Sequence, residues 1–347
     1  MTTKTELLNN GVVVATKTAA PFYSWDWTPA TSGASSLTYK RYEDNVLVFT
    51  SGAITGTVDA AAPASNYLID TYSGSKLALS LRRQSELFTG SVLTVRNDSN
   101  VELGIGLNGD VLDTAAILSH IGSGNGFIVD WFSQDGNPKF TQTSASNQPK
   151  IAEAGAIITK NGKPAISFDG VDDFLFHSGA LSYFTFAGDG TKHFVATCSS
   201  TPNNTAVQSL MSNTGGAADV NVFKLLYEST GYLKHLHGDD NLGSINTSSN
   251  LFDTVNRNIV VEHADPNNTV AEERSYLKLN GVLTKANIQT NIAATSSPTR
   301  KMGIGSGYGN GSYAQFTGTV QEINIWENDF LTEIDNIETN LNNYYVV

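Results

Sequence analysis

The sequence predicts an all-β chain: a small β-sandwich, then a larger two-sheet jelly roll with a few short helices. Three observations carry this. Apolar residues are 40% of the 347 and charged residues only 16%, with 31 glycines and dense Ser, Thr and Asn; Gly and Asn supply the turn conformations that β-branched residues cannot adopt. Short apolar runs recur between hairpin signals such as Asn9-Asn10-Gly11 and Asn280-Gly281. Long stretches rich in Ala, Glu, Lys and Leu, the composition of extended helices, are missing.

Residues 1–58 form the first unit. Glu6-Leu7-Leu8 runs into Asn9-Asn10-Gly11 and returns as Val12 to Ala15. Tyr23, Trp25 and Trp27 alternate, which places their rings on one sheet face. Leu37–Tyr42, Val46–Phe49 and Ile54–Val58 complete the unit, with a turn at Asp44-Asn45. Residues 59–66 are small and include Pro63, as in a linker.

The second unit spans 67–347. Lys76 to Phe88 reads as a helix with Leu77, Leu81 and Leu87 toward a core. Val92–Arg96 and Val101–Ile105 read as a hairpin about Asn97–Asn100. Asp113 is placed to cap a short helix that stops before Gly122. Phe127 to Leu175 holds an aromatic-flanked turn at Trp131–Gly136, a polar excursion, then Gln148-Pro149-Lys150-Ile151 and a strand ending in Phe168-Asp169-Gly170. Strands follow at Lys192–Cys198, Val207–Met211, Val220–Glu228, Tyr232–His237, Arg257–His263 and Arg274–Leu279. Asn280-Gly281 turns into Val282-Leu283, a glycine-rich loop covers 303–311, and Phe316–Trp326 is a strand. Ile334, Ile337 and Leu341 have helical spacing within a closing helix over 332–345.

The net charge is −12, with 33 acidic and 21 basic residues. Such a surface repels polyanions, so nucleic acid is not an expected partner. The single cysteine, Cys198, excludes an internal disulfide and reads as a small buried hydrophobe. No apolar run reaches the ~20 residues that cross a bilayer, and Met1 to Asn10 hold no apolar signal core, so neither membrane insertion nor a signal peptide is expected. These absences fit a protein made in the cytoplasm.

Residues 6–45, ELLNNGVVVATKTAAPFYSWDWTPATSGASSLTYKRYEDN, resemble bacterial immunoglobulin-like modules. Such modules carry two further strands ahead of the position where this sequence starts. The resemblance therefore implies an incomplete module whose open edge is covered by a neighbouring chain or by the second domain. The segments LRRQSELFTGSVLTVRND, LDTAAILSHIG, GFIVDWFSQDGNPKFTQTSASNQPKI and NGKPAISFDGVDDFL are similar to the catalytic-domain family of fungal-type α-L-arabinofuranosidases. More broadly they resemble concanavalin A-like (laminin G-like) jelly rolls, and the tail GTVQEINIW…IDNIETNLNNYY closes that fold in the usual way. The family's turn reads Tyr-Asp-Gln-Ser-Gly; here the positions are Phe132, Ser133, Gln134, Asp135 and Gly136. Ser133 replaces the carboxylate, which is a loss if that group serves an active site. If it only stabilises the turn, Asp135 can substitute.

Candidate ligand residues follow from side-chain chemistry, since sugars present apolar faces edged by hydroxyls. Glu322, Asn324 and Trp326 share one strand face, giving a carboxylate, an amide and a ring; the alternative is a solvated outer face with Trp326 against the terminal helix. Trp131, Gln134 and Asp135 offer the same groups at the turn. His235 and His237 alternate beside Asp239, a pattern open to sugar contact, metal binding or an ordinary strand end. Tyr308 and Tyr313 offer rings from the glycine-rich loop. Asp169, Asp172 and Asp173 read either as a calcium site or as a local turn; no other cofactor is expected. Glycoside hydrolysis needs two flanking carboxylates about 5–9.5 Å apart. Glu262 and Asp265 are a candidate pair, with a strand-end loop position as the alternative, and no catalytic residue is assigned.

Domains of this kind, joined to immunoglobulin-like modules and without a signal peptide, resemble bacteriophage tail, fibre and spike proteins. The resemblance implies a non-enzymatic protein of the virion surface that binds glycans. Its N-terminal module is expected to dock on other virion proteins, and the chain to form a homo-oligomer. An arabinofuranosidase-type glycoside hydrolase and a purely architectural virion component are the alternatives.

Overall fold

The computed structural model describes residues 2–19, 33–52, 54–58, 67–136, 139–177, 193–200, 206–212, 222–227, 229, 233–238, 244–246, 253, 257–265, 268–270, 273–286, 302–307 and 314–345. The chain divides into two compact units, Met1–Asn66 and Tyr67–Val347. Strands dominate both, as the all-β expectation requires.

The first unit is a five-stranded antiparallel sheet. Gly33–Glu43 is its axis. One side pairs with Thr3–Asn9, and the other takes Ile54–Val58 at its N-terminal half and Val46–Thr50 at its C-terminal half. The expected turns form for a conformational reason. Asn10 and Gly11 have φ of 50° and 85°, and Asp44 and Asn45 have 47° and 67°; that double left-handed conformation matches the strand twist of a hairpin. Val46, Leu47, Val48 and Phe49 are all exposed. The aromatic triplet Tyr23, Trp25 and Trp27 and the linker lie outside the described residues.

In the second unit one antiparallel ladder is built on Thr317–Trp326. Its C-terminal half lies between Ser75–Ser80 and His193–Ser200, and its N-terminal half pairs with Ile166–Asp169. From His193–Ser200 the ladder runs through Asn258–Ala264 and Ser275–Leu279 to Val282–Ala286. From Ile166–Asp169 it runs through Lys150–Glu153 and Gly126–Trp131 to Leu93–Asn97 and Glu102–Ile105. Gly126–Trp131 also pairs with Phe140–Thr141. A second ladder then continues through Leu175–His177, Met302–Ile304, Gln208–Ser212, Val222–Tyr227, Leu233–Gly238 and Ser244–Asn246. Both ladders feed one core: Leu79, Val195 and Ile323 come from the first, and Met211, Leu225 and Ile304 from the second.

A second apolar cluster covers the opposite face of the first ladder. Ala78, Phe194, Cys198, Val261 and Trp326 meet Ile337, Leu341 and Tyr345 of the helix Ile334–Tyr345. Cys198 is fully buried there, as the sequence led us to expect, and burial pushes its thiol up. The short helix Thr114–Ile121 also forms as expected: Asp113 Oδ1 accepts the N–H of Ala116 at 3.0 Å and Gly122 follows with φ 59°. No helix among the described residues is long and apolar enough to cross a membrane.

One element differs in kind. The helix expected over Lys76–Phe88 is a strand, Ser75–Ser80, followed by irregular chain with an isolated bridge at Arg82. Leu77 and Leu81 are four apart, a spacing that fits a helix turn and a strand equally. Leu79 decides it, because all three leucines enter one core while Ala78 and Ser80 face the other way.

Candidate functional site

Four neighbouring strands align Arg96, Phe127, Lys150 and Ser167 in a transverse row. Phe127 lies opposite both Arg96 and Lys150, and Lys150 lies opposite Ser167. Val95, Ile128, Ile151, Ile166 and Phe168, their neighbours along the chain, fill the core. Alternation therefore turns the row to the outer face of the sheet. The segment at Ala145–Gln148 and the turn at Asp169–Asp173 rise beside the row and enclose a cavity of about 360 Å³, which Glu153 and Ile158 also line. That volume suits a small ligand.

The floor is a stacked pair, with the Arg96 guanidinium 4.3 Å above the Phe127 ring. Arg96 is held from every side. Its Nε donates to Gln148 Oε1 at 2.7 Å, Nη1 to Asn97 O at 3.2 Å and Asn100 Oδ1 at 2.9 Å, and Nη2 to Ala145 O at 3.3 Å. The Gln148 amide donates in turn to Gln142 O at 2.7 Å. Lys150 Nζ meets Glu153 Oε1 at 2.6 Å. The cationic side of the site is thus internally paired.

The acidic side comes from one turn. Asp169 Oδ1 accepts the N–H groups of Val171 at 2.7 Å and Asp172 at 3.3 Å, and Asp173 Oδ2 accepts the N–H of Asp169 at 3.0 Å. Gly170 permits this with φ 78°, and a Cβ there would collide with Thr317 Oγ1. Burial, then the charges of Asp169 and Asp172, push the Asp173 carboxyl up to about 7. Carboxylate oxygens of Asp169, Asp172 and Asp173 lie within 4.8 Å of one another, a donor set suited to a hard cation. Both readings of this cluster had been open in the sequence; the turn is visible directly in these bonds.

The residues singled out from sequence fall elsewhere. Glu322, Asn324 and Trp326 share a face as expected, but all three are fully buried. They are corrected from sugar contacts to interior groups, because the terminal helix seals that face. Glu322 receives Arg82 Nε at 2.7 Å and Nη2 at 3.1 Å, Tyr345 Oη at 2.8 Å and Asn324 Nδ2 at 2.7 Å. The Trp326 ring N–H donates to Tyr72 O at 2.7 Å.

Trp131 is likewise a core residue, with no exposed area. Gln134 is buried and stitches the chain: its amide donates to Ser80 O at 3.2 Å and Arg82 O at 2.7 Å, and its Oε1 accepts the Gln84 N–H at 2.8 Å. Asp135 accepts from Ser133 Oγ at 2.6 Å and Ser75 Oγ at 2.9 Å. Ser133 Oγ also accepts the Ala78 N–H at 2.8 Å, so both residues serve the turn. Glu262 lies within the strand Asn258–Ala264 and Asp265 just past its end, so the pair straddles the strand end as expected, with both side chains buried. His235 and His237 lie in the strand Leu233–Gly238, with side chains outside the described residues. Asp239, Tyr308 and Tyr313 are outside them altogether.

Sequence reasoning had not singled out Arg96, Phe127, Lys150, Glu153 or Ser167. The one legible signal was the density of polar residues inside the 127–175 stretch, which supplies every lining residue of the cavity except Arg96.

The fold and cavity define an all-β sandwich protein with a polar pocket on an outer sheet face. No family model matches the chain, and no curated protein matches it. Solved structures do. A GH54 α-L-arabinofuranosidase soaked with a cyclic sulfate inhibitor is similar with a TM-score of 0.54 at 14% identity, over 77% of this chain and 62% of that one. A mutant of a GH54 α-L-arabinofuranosidase soaked with 4-nitrophenyl α-L-arabinofuranoside gives 0.55 at 12% identity, with the same 77% and 62% coverage. An arabinofuranosidase complexed with arabinofuranosyl-α-1,2-xylobiose gives 0.52 at 13%, again over 77% and 62%. The chain spans 62% of the length of these enzymes. At such identities the likeness establishes the fold alone.

Proposed function

We propose that this is a non-enzymatic, glycan-binding protein of a bacteriophage virion surface, with the outer-face pocket as its ligand site. The observation that carries the glycan reading is the Arg96–Phe127–Lys150–Ser167 row, walled by Asp169 and Asp173. A guanidinium stacked on a ring, beside carboxyl groups and a serine hydroxyl, supplies a flat floor and the hydrogen-bonding groups that a sugar's face and hydroxyl edge need. The fold likeness to glycan-acting enzymes is in keeping with it. The virion assignment rests on the sequence resemblance, including the immunoglobulin-like likeness of the first unit. Weak single-site binding would gain from multivalent display on a particle. The test is a glycan array probed with the full chain, then hydrolysis assays on each hit. Binding without turnover supports the reading; no binding to any glycan refutes it.

A second reading, glycoside hydrolysis, has one observation in its favour: a carboxyl raised to about 7 beside a second carboxylate in the same pocket. Geometry weighs against it. Asp169 and Asp173 belong to one turn, and Glu153, the remaining carboxylate of the pocket, is paired with Lys150, whereas hydrolysis uses two free carboxyl groups that flank the scissile bond.

A further inference from the structure

We infer that the pocket selects neutral or amino sugars over acidic ones. This rests on the glycan-binding reading above and narrows it to a substrate class.

The cations are largely engaged within the protein. Arg96 directs its guanidinium at Gln148, Asn97, Asn100 and Ala145, and the Lys150 ammonium is ion-paired with Glu153. The acceptors are not spent. Asp169 uses Oδ1 to cap its own turn, Asp173 uses Oδ2 for the Asp169 N–H, and Glu153 uses Oε1 for Lys150. Among the described residues no donor reaches the second oxygen of any of these three side chains. A ligand therefore meets open carboxyl oxygens, with a carboxylate oxygen of Asp172 within 4.8 Å of those of Asp169 and Asp173.

Hydroxyl groups and ammonium groups are donors and satisfy such oxygens with charge-assisted hydrogen bonds. A uronate or sialate carboxylate is only an acceptor. It would face the acidic side chains of Glu153, Asp169, Asp172 and Asp173, which outnumber the cations Arg96 and Lys150 and leave its desolvation poorly offset. The chain's net charge of −12 works in the same direction at long range.

The experiment titrates the full chain by ligand-observed NMR with methyl glycosides of glucose and galactose, their 2-amino-2-deoxy derivatives and their uronates. The ring is constant within each series and one group changes. Neutral and amino forms are expected to bind saturably, with the uronates at least about tenfold weaker, and Asp169→Asn is expected to weaken amino-sugar binding about tenfold. Asn keeps an Oδ1 for the turn. Glu153→Gln, at a side chain 61% exposed, provides a second variant that folding does not constrain.

Uronates that bind as tightly as their neutral parents overturn the class while leaving glycan binding intact. So does unchanged amino-sugar affinity in both variants. Binding abolished by EDTA assigns the open oxygens to a cation and also overturns it. Absence of binding by every sugar, together with a blank array, removes the glycan reading itself.

Discussion

Asp173 Oδ2 accepts the backbone N–H of Asp169 at 3.0 Å, so one turn fixes both of its carboxyl groups at the wall of the outer-face pocket. The arrangement places a carboxyl that is only 7% exposed beside two like charges.

A pH-dependent cost follows. The Asp173 carboxyl is raised from 3.8 to about 7, so the folded state holds its proton more tightly than the unfolded chain. The penalty is absent below the unfolded value, grows as pH rises through the window between those two values, and is complete above the folded one. Asp173→Asn keeps an acceptor for the Asp169 N–H and cannot ionise. Its stability advantage over the parent should widen across that window to on the order of 2–4 kcal/mol at pH 8. Thermal melts from pH 4 to 8 check this, and a gap that does not change with pH contradicts it.

The Arg82–Glu322 pair carries a second expectation. It lies under the terminal helix with side chains 9% and 0% exposed. Arg82→Met strands a buried carboxylate and should cost about 3–5 kcal/mol in urea denaturation. The double change Arg82→Met with Glu322→Leu should recover most of that loss. A double variant as unstable as the single one would contradict the burial assigned to Glu322.

Ser133 tests the fate of the family carboxylate. Its hydroxyl bridges the Ala78 N–H and Asp135. Ser133→Ala should cost about 1–3 kcal/mol and leave glycan affinity unchanged, because the residue is no part of the pocket. Lost binding in a folded variant would return this turn to the ligand site.

Absence of catalysis is a fourth expectation. Any glycan captured by the chain should survive prolonged incubation, read as no rise in reducing ends over buffer. Turnover abolished by Asp173→Asn would establish the hydrolase reading in place of the lectin one.

Local chemistry made most of the fold legible. The turns at Asn10-Gly11, Asp44-Asn45 and Asn280-Gly281 sit where residues tolerant of positive φ appear, and alternation located the strands between them. Ser75–Ser80 was misread because Leu77 and Leu81 satisfy two periods at once. The face of Glu322 and Trp326 was paired correctly and its exposure misjudged: alternation says which residues share a face, not what a later helix lays over it. The pocket was hidden for a further reason. Arg96, Phe127, Lys150 and Ser167 become neighbours only through strand register across four segments, which no local pattern records.

The place at which a glycan binds is the most direct test. The array's strongest ligand, titrated into isotope-labelled full chain, should shift the backbone amides of Phe127, Ser146, Lys150, Ser167 and Asp169 together, and Ala145→Trp at the cavity wall should abolish those shifts in a folded protein. Shifts confined to the first unit or to residues 303–311, with the pocket amides unmoved, would contradict it.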